Sequence, residues 1–511
     1  MTTPVKRSYH GCVRCKRRRQ KCDEQKPNCG RCSNAQVSCE YKITLKWNGR
    51  VPRKGKSSSQ EGRDEFTFDL QSGVGKSSQH ESVLLPEQSW GHKTSAPCFN
   101  LQLEQPSPVL TKTSRQLLHH FITETSKISS SAHIRDQICQ TILPMTHQSD
   151  SLLYATMAFA ALHRYTLLNE LPAQFMPEDL VANLIASSMR CLRRDLETPG
   201  YPVQPLLHTI RTLCHCEIFS GRANSSWRVH VNGAGAMFNE IASRINFNES
   251  EYSFWLWSRW FWSIQALTAT TEVGKVSELA SANSVIREDD QSYFFDTYTG
   301  YSSDLNIVLM EIGLLMHRGE AADLNTESGE TACGVEEKSD QLETSIKYMI
   351  RRDADFGLKF PGDVLHNPGM TVQFQACNTA YQYASLIHLY RRVKCLPSFS
   401  SEVQGCVRAI LDAVSAITPV TTLSPWILLT TPLFTAGCEA VGQDRKLVKE
   451  LLQELYFTLH IRNIIRALEI LERRWEVYDR SRPSIAGHVD EHVGGSMDEV
   501  DSADWLDFIP Y

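Results

Sequence analysis

The sequence predicts a mainly α protein in which a small cysteine-rich module and a disordered linker precede a large all-α domain. Six of its 16 cysteines lie between Cys12 and Cys39, and the other ten are scattered over the rest of the 511 residues. From about Thr113 onward, apolar residues recur with the helical period, and no β-type alternation of comparable strength competes with it. At this length, with 41% hydrophobic residues, the chain can bury a large core and form more than one folding unit.

Charge is divided unevenly along the chain. Residues 1–56 carry 16 Lys and Arg against three acidic residues, a net charge of +13, whereas the remainder carries −18. A basic head on an acidic body indicates a polyanionic partner for the head. No apolar run approaches the ~20 residues that a membrane span needs, and the N-terminus has no apolar signal region. We therefore expect neither a membrane partner nor secretion.

The clustered cysteines, over residues 8–42, form two copies of the pattern C-x2-C-x6-C: Cys12, Cys15, Cys22, Cys29, Cys32 and Cys39. Without a secretory signal, such a cluster is more typical of a metal site than of a disulfide framework. Six thiolates cannot fill the eight positions of two separate tetrahedral zinc ions, so either two sulfurs bridge or one zinc is bound. The twofold repeat favours two bridged zincs, and the metal must supply the folding energy of so small a module.

Five cations occupy the six residues between the second and third cysteines, from Lys16 to Lys21. Such a segment is a poor buried element, and Arg and Lys side chains can pair with guanine edges and neutralise phosphates. Double-stranded DNA is therefore the expected partner. A nuclear-import signal is the alternative interpretation, and both can hold.

The cluster, with Lys16, Arg18, Arg19, Lys21, Asp23 and Pro27 at their offsets, resembles the fungal Zn2Cys6 binuclear zinc-cluster transcription factors, which act on RNA polymerase II genes. The resemblance implies that Cys12 and Cys29 bridge two Zn²⁺ ions. It implies that one ion is held by Cys12, Cys15, Cys22 and Cys29, and the other by Cys12, Cys29, Cys32 and Cys39. It further implies a nuclear protein in which Arg18 and Arg19 read bases of CGG-type triplets, while Lys16 and Lys21 touch the backbone or orient the loop.

Residues 43–112 are expected to be a basic arm and a disordered linker. Lys42, at the end of the module, and Lys46 and Arg50 are placed to neutralise further phosphates, although a plain solvated linker is the alternative. Ser, Gly and Pro fill 18 of the positions from 57 to 112, and no coiled-coil heptads follow the cluster. If the protein is a homodimer, the helical domain must therefore associate.

The domain predicted over residues 113–480 carries apolar residues at helical spacing, as in Leu305, Val308, Leu309, Ile312, Leu315 and Met316. Several of its stretches resemble the helical regulatory region attached to many zinc clusters, among them Leu143-Pro144, Glu217 to Gly221, and Gly437 to Ala440. It contains none of the common nucleotide-binding or hydrolase motifs, so we expect no enzyme. Cys214 is interpreted as a core residue with Cys216 as its neighbour, and metal binding by the run Cys214-His215-Cys216 is the alternative. His230 and the tryptophans Trp255, Trp257, Trp260 and Trp262 are interpreted as packing residues, with a ligand pocket as the alternative.

Residues 481–511 form an acidic tail with seven acidic residues and no Lys or Arg from residue 490 onward. Trp505, Leu506, Phe508, Ile509 and Tyr511 interleave with the last of these acids, a composition that suits transient docking on a coactivator. The alternative is that Trp505 and Phe508 pack back onto the helical domain. For the whole protein, the alternative to a DNA-binding regulator of metabolic or biosynthetic-cluster genes is a zinc-dependent corepressor that does not bind DNA alone.

Overall fold

The computed structural model describes residues 12–18, 20–23, 25, 28–35, 37, 39, 42–46, 65–69, 111–168, 178–221, 230–235, 237, 252–270, 293–323, 329–361 and 367–481. These residues confirm the predicted fold class, because a cysteine cluster precedes a large helical domain. The chain forms two compact units, Met1–Gln116 with Arg190–Val203 and Leu117–Met189 with Gln204–Tyr511. The predicted tail lies outside the described residues.

The N-terminal module contains two short helices, α1 (Val13–Arg17) and α2 (Gly30–Asn34). Two strands follow, β1 (Lys42–Lys46) and β2 (Glu65–Asp69), which pair antiparallel with Lys42 opposite Asp69. Both strands lie at or in the segment that the sequence predicts to be a disordered linker. Each run alternates polar and apolar residues over only five positions, a strand period too short to stand out in a segment rich in Ser and Gly. The rest of that segment, up to residue 110, lies outside the described residues.

The large domain is built mainly from helices. In chain order they are α3 (Lys112–Thr123), α4 (Ala132–Thr146), α5 (Asp150–Leu168), α6 (Glu178–Glu197), α7 (Val203–Ser220), α8 (Tyr252–Ala269), α9 (Leu305–Asp323), α10 (Gly329–Phe356), α11 (Pro368–His388), α12 (Ser401–Ser415), α13 (Thr430–Glu439), α14 (Gln443–Leu459) and α15 (Arg462–Ser481). None of the helices described here combines the length and apolar content that crossing a bilayer requires.

Local sequence signals fix several of these helix ends. Ser131 and Ser400 accept hydrogen bonds from the backbone N–H three residues ahead, and so cap α4 and α12. Asn367 caps α11, where Pro368 occupies the first helical position, at which a missing N–H costs nothing. Helix α14 ends at His460, whose backbone is left-handed with φ of 55°. The helical boundaries thus follow from residues that satisfy free backbone groups.

The core is built from the apolar positions of the predicted helical period. On α9, all six residues from Leu305 to Met316 in that period are at most 7% exposed. Gly313 lies on the same helix where it meets α8, and a Cβ added there would come within 2.6 Å of the Ala269 carbonyl oxygen. The close approach of α8 and α9 therefore requires glycine at this position.

One small hairpin interrupts the helices, and the sequence analysis did not predict it. Strand β3 (Phe295–Asp296) pairs antiparallel with β4 (Tyr301–Ser302), and Gly300 turns the chain with φ of +85°. Two-residue strands produce no readable alternation, so only the buried aromatic residues Phe295 and Tyr301 hint at the hairpin in the sequence.

Candidate metal centre and nucleic-acid interface

The sequence repeat of the cysteine cluster is also a repeat of local structure. Cys12 immediately precedes α1, and Cys29, 17 residues later, immediately precedes α2. In the first half, the backbone N–H of Cys15 donates to Cys12 Sγ over 3.5 Å. In the second half, Cys32 donates to Cys29 Sγ over 3.4 Å. Each short helix thus directs backbone N–H groups at the sulfur of its leading cysteine, which stabilises a thiolate there.

The third cysteine of each half also accepts a backbone hydrogen bond, and the donors occupy equivalent positions of the repeat. The backbone N–H of Cys12 donates to Cys22 Sγ over 3.5 Å, and that of Cys29 donates to Cys39 Sγ over 3.2 Å. All six cysteines are at most 5% exposed, although few aliphatic residues surround them. A cluster of six buried thiols with so little apolar packing needs another source of folding energy, and a metal can supply it.

The distances between sulfur atoms test whether zinc fits. Cys12 Sγ lies 3.7 Å from Cys29 Sγ and 3.6 Å from Cys32 Sγ, and Cys15 Sγ lies 3.8 Å from Cys29 Sγ. Two thiolates on one tetrahedral zinc, with Zn–S bonds of about 2.3 Å, are about 3.8 Å apart. The ligand atoms of these four cysteines all lie within 4.8 Å of one another. The donor set and its spacing therefore fit zinc.

Burial and hydrogen bonding change the acidity of these thiols in opposite directions. Burial raises the pKa of the Cys12 and Cys39 thiols, and it raises the pKa of Cys15 to about 11. At Cys29 burial also acts upward, but hydrogen bonds from the N–H of Cys32 and from the thiols of Cys12 and Cys22 together outweigh it, and the pKa is lowered. At Cys32 the thiols of Cys29 and Cys12 and the Arg14 guanidinium overcome burial and lower the pKa. Because metal binding must displace the remaining thiol protons, acid should release the metal.

Two residues support the cluster in ways that the sequence analysis did not predict. Arg14 Nη1 donates to the backbone carbonyl of Arg31 over 3.4 Å and lies 3.8 Å from Cys32 Sγ. Asp23 Oδ2 accepts a hydrogen bond of 2.8 Å from the backbone N–H of Gly30, so it joins the two halves. Arg14 and Arg31 occupy equivalent positions of the 17-residue repeat, and that equivalence was the available signal for Arg14.

The basic side chains proposed for DNA lie beside this cluster. Arg17 ends α1, Arg18 follows it, and both are exposed, as is Lys21. Within the described part of the chain, none of these three forms an ion pair. Unpaired, exposed cations are available for phosphates or base edges.

The other residues predicted to contact DNA are described only in part or lie outside the described residues. Lys16 lies in α1, and Lys42 and Lys46 lie in β1, but only their backbones are described. Arg19, Arg50 and Pro27 lie outside the described residues.

In the helical domain, Cys214 and Cys216 are at most 2% exposed, and burial raises the pKa of both thiols. Their interpretation as core residues is confirmed. Trp257 is fully buried and stacks on Phe261 with ring centroids 4.8 Å apart, which supports packing for the tryptophans. Among the described residues, possible metal-binding groups of three or more are found only in the cysteine cluster and its Asp23.

The chain matches two family profiles. Residues 116–510 match the fungal specific transcription factor domain, and residues 10–48 match the fungal Zn(2)-Cys(6) binuclear cluster domain. The first match covers most of the chain, which therefore belongs to the family of fungal transcription factors with this domain.

Three curated relatives give the extent of similarity. The chain is 24% identical over 260 residues to the transcriptional activator protein UGA3 of Saccharomyces cerevisiae, which covers 47% of each protein. It is 49% identical over 45 residues to sterol uptake control protein 2 of the same yeast, covering 8% of this chain and 5% of that protein. An uncharacterized transcriptional regulatory protein of Schizosaccharomyces pombe is 26% identical over 202 residues, covering 34% of this chain and 38% of that protein. No solved structure shows significant similarity to the chain.

Proposed function

We propose that this member of the fungal transcription factor family is a nuclear, sequence-specific DNA-binding regulator that reads CGG-type triplets through a two-zinc cluster. The observation that carries the proposal is the geometry of residues 12–39. Sulfur atoms spaced as zinc ligands lie beside Arg17, Arg18 and Lys21, whose exposed side chains form no ion pair within the described residues. Regulation of metabolic or biosynthetic-cluster genes is the expected biological role.

Two zinc ions are proposed because the sulfur distances suit shared ligands. One ion would be held by Cys12, Cys15, Cys22 and Cys29, and the other by Cys12, Cys29, Cys32 and Cys39. The distance between the sulfur atoms of Cys12 and Cys29 suits two ligands shared by both ions. The distance from Cys15 Sγ to Cys29 Sγ suits ligands of the first ion, and that from Cys12 Sγ to Cys32 Sγ suits ligands of the second. Zinc ions bound by these thiolates would hold the two short helices together, and the protein's own side chains would contact the DNA.

Native mass spectrometry of the full chain tests the metal count. Two zinc ions are expected for the unaltered chain. Because Cys29 serves both ions, Cys29→Ser should lower the count further than Cys39→Ser, which removes a ligand from only one. Cys395→Ser, which changes an exposed cysteine outside the cluster, is the matched control and should retain both ions. One zinc in the unaltered chain, or equal losses for the two cluster variants, would contradict the bridged scheme.

Base reading is proposed for Arg18 and Arg19, and backbone contact for Lys16, Lys21, Lys42, Lys46 and Arg50. Arg18→Ala and Arg19→Ala should each reduce the preference for a CGG-containing duplex by about 1–3 kcal/mol. Lys46→Ala and Arg50→Ala should weaken all duplexes alike and flatten the salt dependence of binding. Fluorescence anisotropy with CGG and scrambled duplexes at several salt concentrations separates the two effects. If all four variants lose affinity without loss of selectivity, the base-reading assignment is wrong.

The same titration addresses the second candidate role, a zinc-dependent corepressor. The purified chain should bind a CGG duplex without any added protein, and failure to do so at low salt would favour the corepressor. A homodimer formed through the helical domain and a coactivator docked on the tail complete the proposal. Sedimentation of the full chain tests the former.

A further inference from the structure

A pocket lies among the helices of the large domain. Its volume is about 130 Å³, and residues from α4, α7, α8 and the β3–β4 hairpin line it. Most of its wall is apolar, contributed by isoleucine, leucine and aromatic side chains such as Ile264 and Trp260. Cavities lined only by apolar groups stay dry and accept small apolar molecules. The polar groups of this cavity therefore determine which polar or charged ligands it can also bind.

Helix α7 contributes the polar groups that distinguish the cavity. Arg211 and His215, four residues apart, lie on one face of the helix and both line the cavity. Arg211 is only 5% exposed, yet among the described residues its hydrogen-bond partner is a neutral group, the Tyr298 hydroxyl, at 2.9 Å from Nη2 and 3.3 Å from Nε. The carboxylate of Asp296, close in sequence to Tyr298, already pairs with Arg259 at 3.3 Å.

A buried guanidinium without a carboxylate is unusual, because burying an unpaired charge is costly. His215 adds to the imbalance, since its Nε2 atom is buried and has no hydrogen-bond partner in the described structure. Burial and the neighbouring Arg211 charge lower the His215 pKa well below its ordinary value, so the ring is neutral and can accept or donate a hydrogen bond. The cavity thus offers one cation and one unused polar atom.

We propose that this cavity binds a small organic carboxylate with an apolar body no larger than one ring, whose anionic group pairs with Arg211. Phe159 and Phe219 supply an aromatic wall, with Phe159 lying flat against the His215 ring at a centroid distance of 5.8 Å. The volume sets the size limit, because a cavity of about 150 Å³ accepts benzene. Bidentate pairing with a carboxylate would give the guanidinium the charged partner that it does not find among the described residues.

In a transcription factor such a site would receive an effector, a consequence that rests on the proposed function. The binding itself does not depend on that function. Calorimetry and thermal denaturation of the full chain measure it without DNA, so a failure here leaves the DNA-binding proposal untouched.

The probes are benzoate, its smaller aliphatic counterpart isovalerate, the neutral analogue benzamide and the larger 2-naphthoate. Benzoate or isovalerate should bind and raise the melting temperature, whereas benzamide should bind at least about tenfold more weakly. The bulkier 2-naphthoate should not bind. Absence of binding by both small acids, or equal binding of benzoate and benzamide, would overturn the proposal.

Variants locate the binding site. Arg211→Met keeps a side chain of similar length without charge and should weaken binding of the acid about tenfold to a hundredfold. Arg408→Met, at an exposed surface arginine, is the matched control and should leave binding unchanged. If Arg211→Met does not fold, Arg211→Lys retains the charge but loses bidentate geometry, and it should weaken binding about tenfold.

Ser263→Leu provides a second test, because Ser263 lines the cavity and a larger side chain there would fill it. This variant should lose acid binding while its own melting temperature is unchanged or raised. Binding that survives both Arg211→Met and Ser263→Leu would place the acid elsewhere and refute the assignment.

Discussion

The carboxylate of Asp353 joins three elements of the helical domain. Its Oδ2 accepts hydrogen bonds from Asn378 and Gln382 on α11, each at 2.7 Å, and from the Ser302 hydroxyl on β4 at 3.2 Å. Its Oδ1 accepts one from Arg352 Nε, also at 2.7 Å. The Asp353 side chain is 1% exposed, so water cannot replace any of these partners.

Replacing Asp353 with asparagine keeps the shape of this group and removes its charge. One acceptor oxygen becomes an NH₂ group facing donors. The buried guanidinium of Arg352 then loses one of its two carboxylate partners and keeps only Asp304. Removing one partner of a buried ion pair lowers the free energy of unfolding by about 3–5 kcal/mol. This loss is a large part of the roughly 5–15 kcal/mol by which most domains are stable. We expect a loss of this size and a fall in melting temperature of about 10 °C.

Asp136→Asn is the matched control, because Asp136 also pairs with the arginine that precedes it, Arg135. There the two side chains are 33% and 52% exposed, so the loss should stay below about 1 kcal/mol. Urea unfolding of both variants, followed by tryptophan fluorescence and circular dichroism, gives the comparison. Equal losses, or a loss below about 1 kcal/mol for Asp353→Asn, would refute the role assigned to the network.

Three further predictions concern other parts of the chain. Burial opposes ionisation of Glu343, but hydrogen bonds from two lysines outweigh it and lower its pKa to about 2. The ionised Glu343 therefore stabilises the folded chain above the ordinary carboxyl pKa, and this contribution is lost as pH falls from about 5 to 2. Unfolding at several pH values should therefore show a deficit for Glu343→Gln at neutral pH that shrinks in acid. Gly313→Ala should cost about 1–3 kcal/mol in urea unfolding, because the new Cβ meets the backbone of Ala269, whereas Gly405→Ala, where space is open, should not destabilise. Residues 490–511 fused to a foreign DNA-binding domain should activate a reporter, and Trp505→Ala with Phe508→Ala should abolish it; an inactive tail whose deletion destabilises the full chain would show that both residues pack.

Features set by residue type and spacing could be predicted from the sequence. The six cysteines could be identified because zinc requires thiolates at short intervals, and the helices of the large domain because burial repeats every 3.6 residues. The 17-residue repeat marks the position of Arg14, but its contact with the Arg31 carbonyl could not be predicted, since that contact depends on how the two halves of the cluster meet. The short strands β1 to β4 left too few residues for a period to emerge.

The cavity of the helical domain could not be predicted from the sequence either. Its lining residues extend from Phe121 to Ile461, so only the packed helices bring them together. His215 stands between Cys214 and Cys216, and both of these cysteines are buried in the core. Its own ring nevertheless lies on the cavity face of α7, because adjacent residues of a helix point about 100° apart.

If the chain reads CGG triplets, as proposed, the need for DNA specificity sets a requirement on the helical domain. One CGG triplet recurs by chance about once in 64 positions on a strand, and two triplets at fixed separation recur about once in 4,000. The sequence between Cys39 and Thr113 has no heptads with which to pair two copies, so a second triplet can be read only if the helical domain self-associates or another protein supplies a second DNA-binding module. If the full chain sediments as a dimer, affinity should depend on the separation of two triplets. If it is a monomer, affinity should be indifferent to that separation, and the basic arm or a partner must then supply the remaining selectivity.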